Sequence, residues 1–213
     1  MQNSLSPASP RFAAFDAVAI AASLGGPEAL SLLLARLPPD FPAAIFIAQH
    51  MGAGGEWLVS RLSRLSALPV HLANDGEPII RGRVYLAPPD RHLLVAPTRR
   101  VIVNQEPKVK FCRPAAEPLF TSVAALYRDR ALGVVLTGCN TDGSVGVQSI
   151  KWLGGRVLVQ DPATCTAVGM PQSAIRTGAV DFVLPLEKIA SALVGLVMVR
   201  GLADYLKVSR RAA

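Results

Sequence analysis

Ser23, His50 and Asp142 are the residues of this chain whose types suit nucleophilic chemistry. Each follows an apolar run of strand length. Val18 to Ala22 leads into Ser23, Ile45 to Gln49 into His50, and Val134 to Thr137 into the segment Gly138 to Asp142. A serine hydroxyl is a poor nucleophile at neutral pH and needs a base. An unperturbed imidazole titrates near pH ~6.5 and can take its proton. A carboxylate on the other ring nitrogen would fix the tautomer and stabilise the imidazolium that forms. Gly25 and Gly26 would let backbone approach a substrate, and the N–H groups that open the next helix would stabilise an oxyanion. Taken singly, each residue also has a bland explanation. A serine before a helix is usually a cap, Asp142-Gly143 is usually a cap or turn, and a lone histidine after a strand is usually a surface residue. Three complementary groups at three equivalent strand ends favour acyl transfer. Of the other histidines, His71 lies in a short strand, and His92 lies in a hairpin region as a fallback base. Cys139 is an alternative nucleophile close to Asp142.

The elements that must carry these residues follow from apolar patterning. Strand-like runs at Ala17 to Ala22, Ala43 to Ala48, Val70 to Ala73, Gly133 to Thr137, Arg156 to Gln160 and Val180 to Leu184 alternate with helical segments. The helices are expected at Pro27 to Leu37, Gly55 to Leu68, Pro118 to Arg130, Gly143 to Leu153, Pro171 to Thr177 and Glu187 to Leu206. Arg83 to Ala87, Leu93 to Ala96 and Val101 to Asn104 are short and separated by Pro-rich or basic turns, the pattern of a small antiparallel hairpin region. The expected class is α/β: a doubly wound, mostly parallel sheet with helices on both faces. The right-handed crossover rule then brings Ser23, His50 and Asp142 out on one edge of the sheet, where such folds bind ligands.

Length and composition bound the rest. The chain has 213 residues, 51% of them hydrophobic, which suits one domain without structural metals or disulfides. We expect a single catalytic domain over residues 15–206, a disordered tail over 1–14 and a basic tail over 207–213. The run Ile189 to Val199 is about half the ~20 residues that span a bilayer, so no membrane insertion is expected. No secretory leader is visible. Three scattered cysteines, Cys112, Cys139 and Cys165, point to a reducing, cytoplasmic setting and to neither a disulfide framework nor a metal site. No cofactor is expected. The net charge of +7 suits an acidic partner, and with aromatics only 6% of the chain, too sparse for base-stacking platforms, that partner is expected to be a protein and not nucleic acid.

Ala21-Ala22-Ser23-Leu24-Gly25 approximates the G-x-S-x-G nucleophile elbow, but the order Ser, His, Asp differs from that of ordinary α/β-hydrolases. Six segments together resemble the catalytic domain of CheB-type chemotaxis protein-glutamate methylesterases. They are Ala22 to Pro27; Ala48-Gln49-His50-Met51; Asp75 to Pro78 with Val84 to Pro89 and His92 to Val95; Arg113-Pro114 with Leu119-Phe120; Leu136 to Gly143; and Gly169-Met170-Pro171. The resemblance implies a signal-transduction hydrolase that cleaves methyl esters of glutamate side chains on acidic receptor helices and in some members deamidates glutamine. It places the triad on Ser23, His50 and Asp142. It puts Leu24, Gly25, Gly26, Cys139, Arg113 and Met170 in the oxyanion or substrate-binding set. The sequence departs from the family pattern at Leu24, Cys139-Asn140 and Ala115. Most members carry a receiver domain before the catalytic one, and only about 16 residues precede the first strand here, short of the ~100 a domain usually needs. A stand-alone enzyme is therefore expected. Two readings compete: a catalytically weak module that docks on receptor-like proteins, and a phosphate-binding α/β domain using the Ser23 to Gly26 turn.

Overall fold

The computed structural model describes residues 14–52 and 54–199. The tails expected over 1–14 and 207–213 therefore fall almost entirely outside the described residues. Nine strands and six α-helices follow along the chain among the described residues, alternating except for the run β3 to β6: β1 (Ala17–Ala22), α1 (Gly26–Leu34), β2 (Ala44–Gln49), α2 (Gly55–Leu65), β3 (Val70–Leu72), β4 (Val84–Leu86), β5 (His92–Val95), β6 (Val101–Asn104), α3 (Ala116–Tyr127), β7 (Ala131–Val135), α4 (Ser144–Trp152), β8 (Arg156–Gln160), α5 (Gly169–Arg176), β9 (Phe182–Leu184) and α6 (Leu186–Met198).

Seven strands form one sheet in the order β3-β4-β2-β1-β7-β8-β9, and every pairing in it is parallel. β1 and β2 are buried along their whole length, as befits central strands covered on both faces. Alternation along β1 divides the core. Val18, Ile20 and Ala22 pack with Leu30, Leu33, Leu58, Leu62, Ile189 and Leu193 of α1, α2 and α6. Ala17, Ala19 and Ala21 pack with Leu119, Phe120, Val147, Ile150 and Met170 of α3, α4 and α5. Small residues on that second face let α3 and α4 sit close to the sheet.

The doubly wound architecture read from the patterning is the observed one, with one difference. Arg83 to Ala87 was expected in the antiparallel region, but β4 lies in the parallel sheet between β2 and β3. Its three residues are fully buried, so it packs as an interior strand despite its length. Only β5 and β6 form the antiparallel hairpin. The strand order explains the site. The chain winds outward from β1 to β2 on one side and returns to β7 on the other, so β1 sits at the point where the winding reverses. The carboxyl ends of β1, β2 and β7 are adjacent there, the usual ligand crevice of an open α/β sheet.

Candidate active site

Ser23 leaves the end of β1 between its two neighbours. Its N–H donates to Thr137 O at 2.9 Å, and the His50 N–H donates to Ala22 O at 2.9 Å. The helix cap that a serine in this turn suggests is absent: α1 is capped by Gly25, in the left-handed region at φ 80°, without a side-chain bond. A side chain at Gly25 would also meet the Thr166 hydroxyl. The Ser23 hydroxyl has no protein partner among the described residues. Neither do the Leu24 and Gly25 N–H groups. These are donors at a helix start with nothing to hold.

Asp142 is 1% exposed and lies in the loop between β7 and α4. Its Oδ2 is 2.7 Å from His50 Nε2. A carboxylate only accepts, so Nε2 carries the ring proton and Nδ1 keeps the lone pair. Asp142 does cap a helix, though not its own. Its carboxylate accepts from the Ala116 N–H at 2.6 Å and the Glu117 N–H at 3.2 Å, the first turn of α3. Ala115, the residue in the cap position, offers no side-chain acceptor. The exchange is mutual, because Glu117 of α3 accepts from the Val145 N–H at 3.2 Å and the Gly146 N–H of α4. Lys110 ties the preceding loop to this pair, donating to Glu117 at 2.6 Å and to Thr141 O and Ser144 Oγ, both at 2.8 Å. The Asp142 carboxylate is thus held by the start of α3, whose Glu117 in turn holds the start of α4.

His50 and Ser23 line one cleft of about 630 Å³ with Leu24, Gly25, Pro27, Glu28, Gln49, Met51, Gly54, Trp57 and Leu58. Leu24 and Trp57 are each 56% exposed on its walls, so the entrance is apolar. No hydrogen bond joins Ser23 to His50 among the described residues. The neighbour of Nδ1 is instead Cys112 Sγ at 3.7 Å. Burial, followed by the charge of Asp142, pushes the Cys112 thiol above its ordinary range. It is therefore protonated at neutral pH and is a poor rival nucleophile.

The remaining candidates divide. Gly26 lies against Gln49, where an added Cβ would fall 1.9 Å from Oε1. Met170 is fully buried with its sulfur against Gly138, and a side chain at Gly138 would also collide with Ser23 Cβ. Met170 therefore shapes the floor under Ser23. Cys139 is exposed, and its carbonyl lies against Gly169. Arg113 makes a bidentate bridge to Asp90 at 2.9–3.0 Å and donates to the Gln105 and Glu106 carbonyls, holding the loop that forms one wall beside His50. His92 is 1% exposed, with Pro107 O at 3.1 Å and the Ala115 N–H at 3.2 Å on its two nitrogens, which leaves none for a base. His71 faces Glu77 at 3.0 Å.

The sequence reading passed over Gln49. It is 2% exposed, and its Nε2 donates to Ser23 O at 2.9 Å and His50 O at 2.8 Å, joining the two turns that carry Ser23 and His50. The signal was present: a glutamine ending an otherwise apolar interior strand must find partners. Glu117 and Lys110 had no such signal, since their partners lie in other elements.

The CheB methylesterase family model matches residues 18–193, a span that includes all three strand ends. The chain belongs to the CheB methylesterase family. A crystal structure of the Thermotoga maritima CheB methylesterase catalytic domain superposes with a TM-score of 0.83 at 38% identity, covering 86% of this chain and 99% of that one. The protein-glutamate methylesterase/protein-glutamine glutaminase 2 of Anaeromyxobacter dehalogenans is 45% identical over 86% of this chain and 54% of its own length. The putative protein-glutamate methylesterase/protein-glutamine glutaminase of Leptospira interrogans is 40% identical over 85% of this chain and 95% of its own. The chain thus spans about half the length of some curated relatives and nearly all of others. The CheB match covers the parallel sheet, the β5–β6 hairpin and the cleft together.

Proposed function

We propose that this protein is a serine hydrolase that removes methyl esters from glutamate side chains of chemoreceptor-type proteins, with Ser23, His50 and Asp142 as its triad. The carrying observation is the 2.7 Å contact between His50 and buried Asp142 on the cleft that Ser23 lines. The kinship with CheB methylesterases supplies the substrate class. Ser23 Oγ attacks the ester carbonyl while His50 Nδ1 accepts its proton. The imidazolium, held through Nε2 by Asp142, returns that proton to the leaving methoxide, and methanol departs. Water, deprotonated by the same nitrogen, then splits the acyl–serine bond to give glutamate. The Leu24 and Gly25 amides are the oxyanion donors, with the Cys139 segment opposite. Serine and base close to hydrogen-bond distance when substrate is bound, as free active sites often hold their catalytic contacts long.

The apolar cleft entrance would take the methyl ester, and the basic chain would favour acidic receptor helices. Among the described residues no helix is long and apolar enough to cross a membrane, and the three cysteines are unpaired. Both suit a reducing, cytoplasmic site of action. A glutamine amide fits the same chemistry, with ammonia as the leaving group.

Methanol release from methylated receptor fragments is the test. Ser23→Ala should remove nearly all turnover while leaving the fold intact. Release at the wild-type rate from that variant would overturn the assignment. Labelling of Ser23 by a fluorophosphonate separates the enzyme from a docking module with an inert site.

A further inference from the structure

Cys112, His50 and Asp142 are far apart in the chain, yet each offers a ligand atom, and these atoms lie within 4.8 Å of one another. We propose that Cys112 Sγ and His50 Nδ1 form a reversible site for a thiophilic divalent cation such as zinc, and that its occupation switches the enzyme off. The separation fits. Zinc bonds of ~2.3 Å to sulfur and ~2.0 Å to nitrogen place the two ligands ~3.5 Å apart in a tetrahedral site. The observed Sγ to Nδ1 distance is 3.7 Å, so an ion can enter with a small side-chain shift.

The surroundings suit a ligand pair. Asp142 holds the opposite ring nitrogen at 2.7 Å, the carboxylate–histidine arrangement that aims an imidazole at a metal and raises its basicity. Asn140 Nδ2 lies 3.0 Å from Sγ and donates to it, which supports charge on sulfur. Cys112 and His50 open on a pocket of about 310 Å³, with room for water to complete the coordination. Binding replaces the S–H proton, which leaves to solvent, and fills the Nδ1 lone pair. Lys108 and Arg113 line the same pocket and oppose a cation. Two protein ligands in that field give weak, exchangeable binding, unlike a closed structural zinc site.

The site itself does not depend on the hydrolase reading. Its inhibitory consequence does, because Nδ1 is the base in that reading. Cobalt(II) is the probe, added to the metal-free chain carrying Cys139→Ser and Cys165→Ser, so that Cys112 is the remaining thiol. A thiolate-to-cobalt charge-transfer band should appear, and it should vanish in the further Cys112→Ser variant and shift in His50→Ala. In the wild-type chain zinc should inhibit methanol release, a chelator should restore it, and Cys112→Ser should raise the inhibitory zinc concentration at least about tenfold. Absence of the band, or inhibition unchanged by Cys112→Ser, overturns the proposal. A cobalt band in a protein that releases no methanol overturns the inhibitory role and the hydrolase reading, and leaves the metal site standing.

Discussion

At the scale of single residues, the site depends on groups that touch no substrate. Gln49 bridges the Ser23 and His50 carbonyls from a buried position. In Gln49→Leu the Ser23 carbonyl keeps its bond from the Gly26 N–H, but the His50 carbonyl loses its donor, at about 1–3 kcal/mol where it is left buried and unsatisfied. Thermal unfolding should show that loss. Turnover should fall more than KM rises, because Leu24 and Trp57 at the cleft entrance are untouched. A KM effect alone would assign Gln49 to substrate binding instead. Asp142→Asn should lower kcat by a factor on the order of 10⁴, by analogy with other triads, since an amide can present its N–H to Nε2 and reverse the tautomer. That variant also weakens the cap on α3, so its melting temperature belongs beside its kinetics. Both residues hold the geometry of His50, one through the backbone and one through the ring.

At the scale of elements, mutual capping of α3 and α4 fixes the loop that carries Asp142. α5 closes that loop from the other side. An added Cβ at Gly169 would fall 1.9 Å from the Cys139 carbonyl oxygen, a backbone atom that can move only with its loop. Gly169→Ala should therefore lower methanol release at least about tenfold with only moderate loss of stability, measured together on one preparation. Wild-type activity in this variant would show that the Cys139 segment is free to move without consequence for Asp142. The helix at α1 obeys a different constraint. Its start needs the left-handed conformation of Gly25, and that requirement leaves the Ser23 side chain out of the cap.

At the scale of the whole molecule, the chemistry and the main electrostatic staple sit at opposite ends of β1. Asp16, just before the strand, takes Arg130 at 2.5 Å and also pairs with Arg81. Burial alone would raise its pKa. The hydrogen bond and charge of Arg130, with Arg81 and Arg99, outweigh burial and hold the carboxyl below its ordinary range. A depressed folded-state pKa contributes stability that is present above the unfolded value, ~3.9, and is lost as pH falls through the folded one. Urea unfolding should show Asp16→Asn less stable than wild type at neutral pH, with the gap closing below about pH 4. A gap that persists at low pH would mean that packing, and not ionisation, carries the effect. The variant should retain its esterase kinetics, because Asp16 lies a full strand away from Ser23.

The alternation of buried runs with helical periods by itself determined a parallel sheet covered on both faces. That in turn required Ser23, His50 and Asp142 to share an edge, because right-handed crossovers send every strand end the same way. The patterning also placed the β5–β6 hairpin. It could not place β4, since three apolar residues carry no record of which neighbour they pair with. Only the tertiary structure decided how the site is wired. Nε2 faces Asp142 and Nδ1 faces Cys112, Asp142 caps a helix that begins 26 residues before it in the chain, and Gln49 binds two turns at once. These are contacts between residues distant in sequence. Local propensity fixes where an element begins, but a hydrogen bond across elements depends on ångström-scale packing that no local pattern encodes.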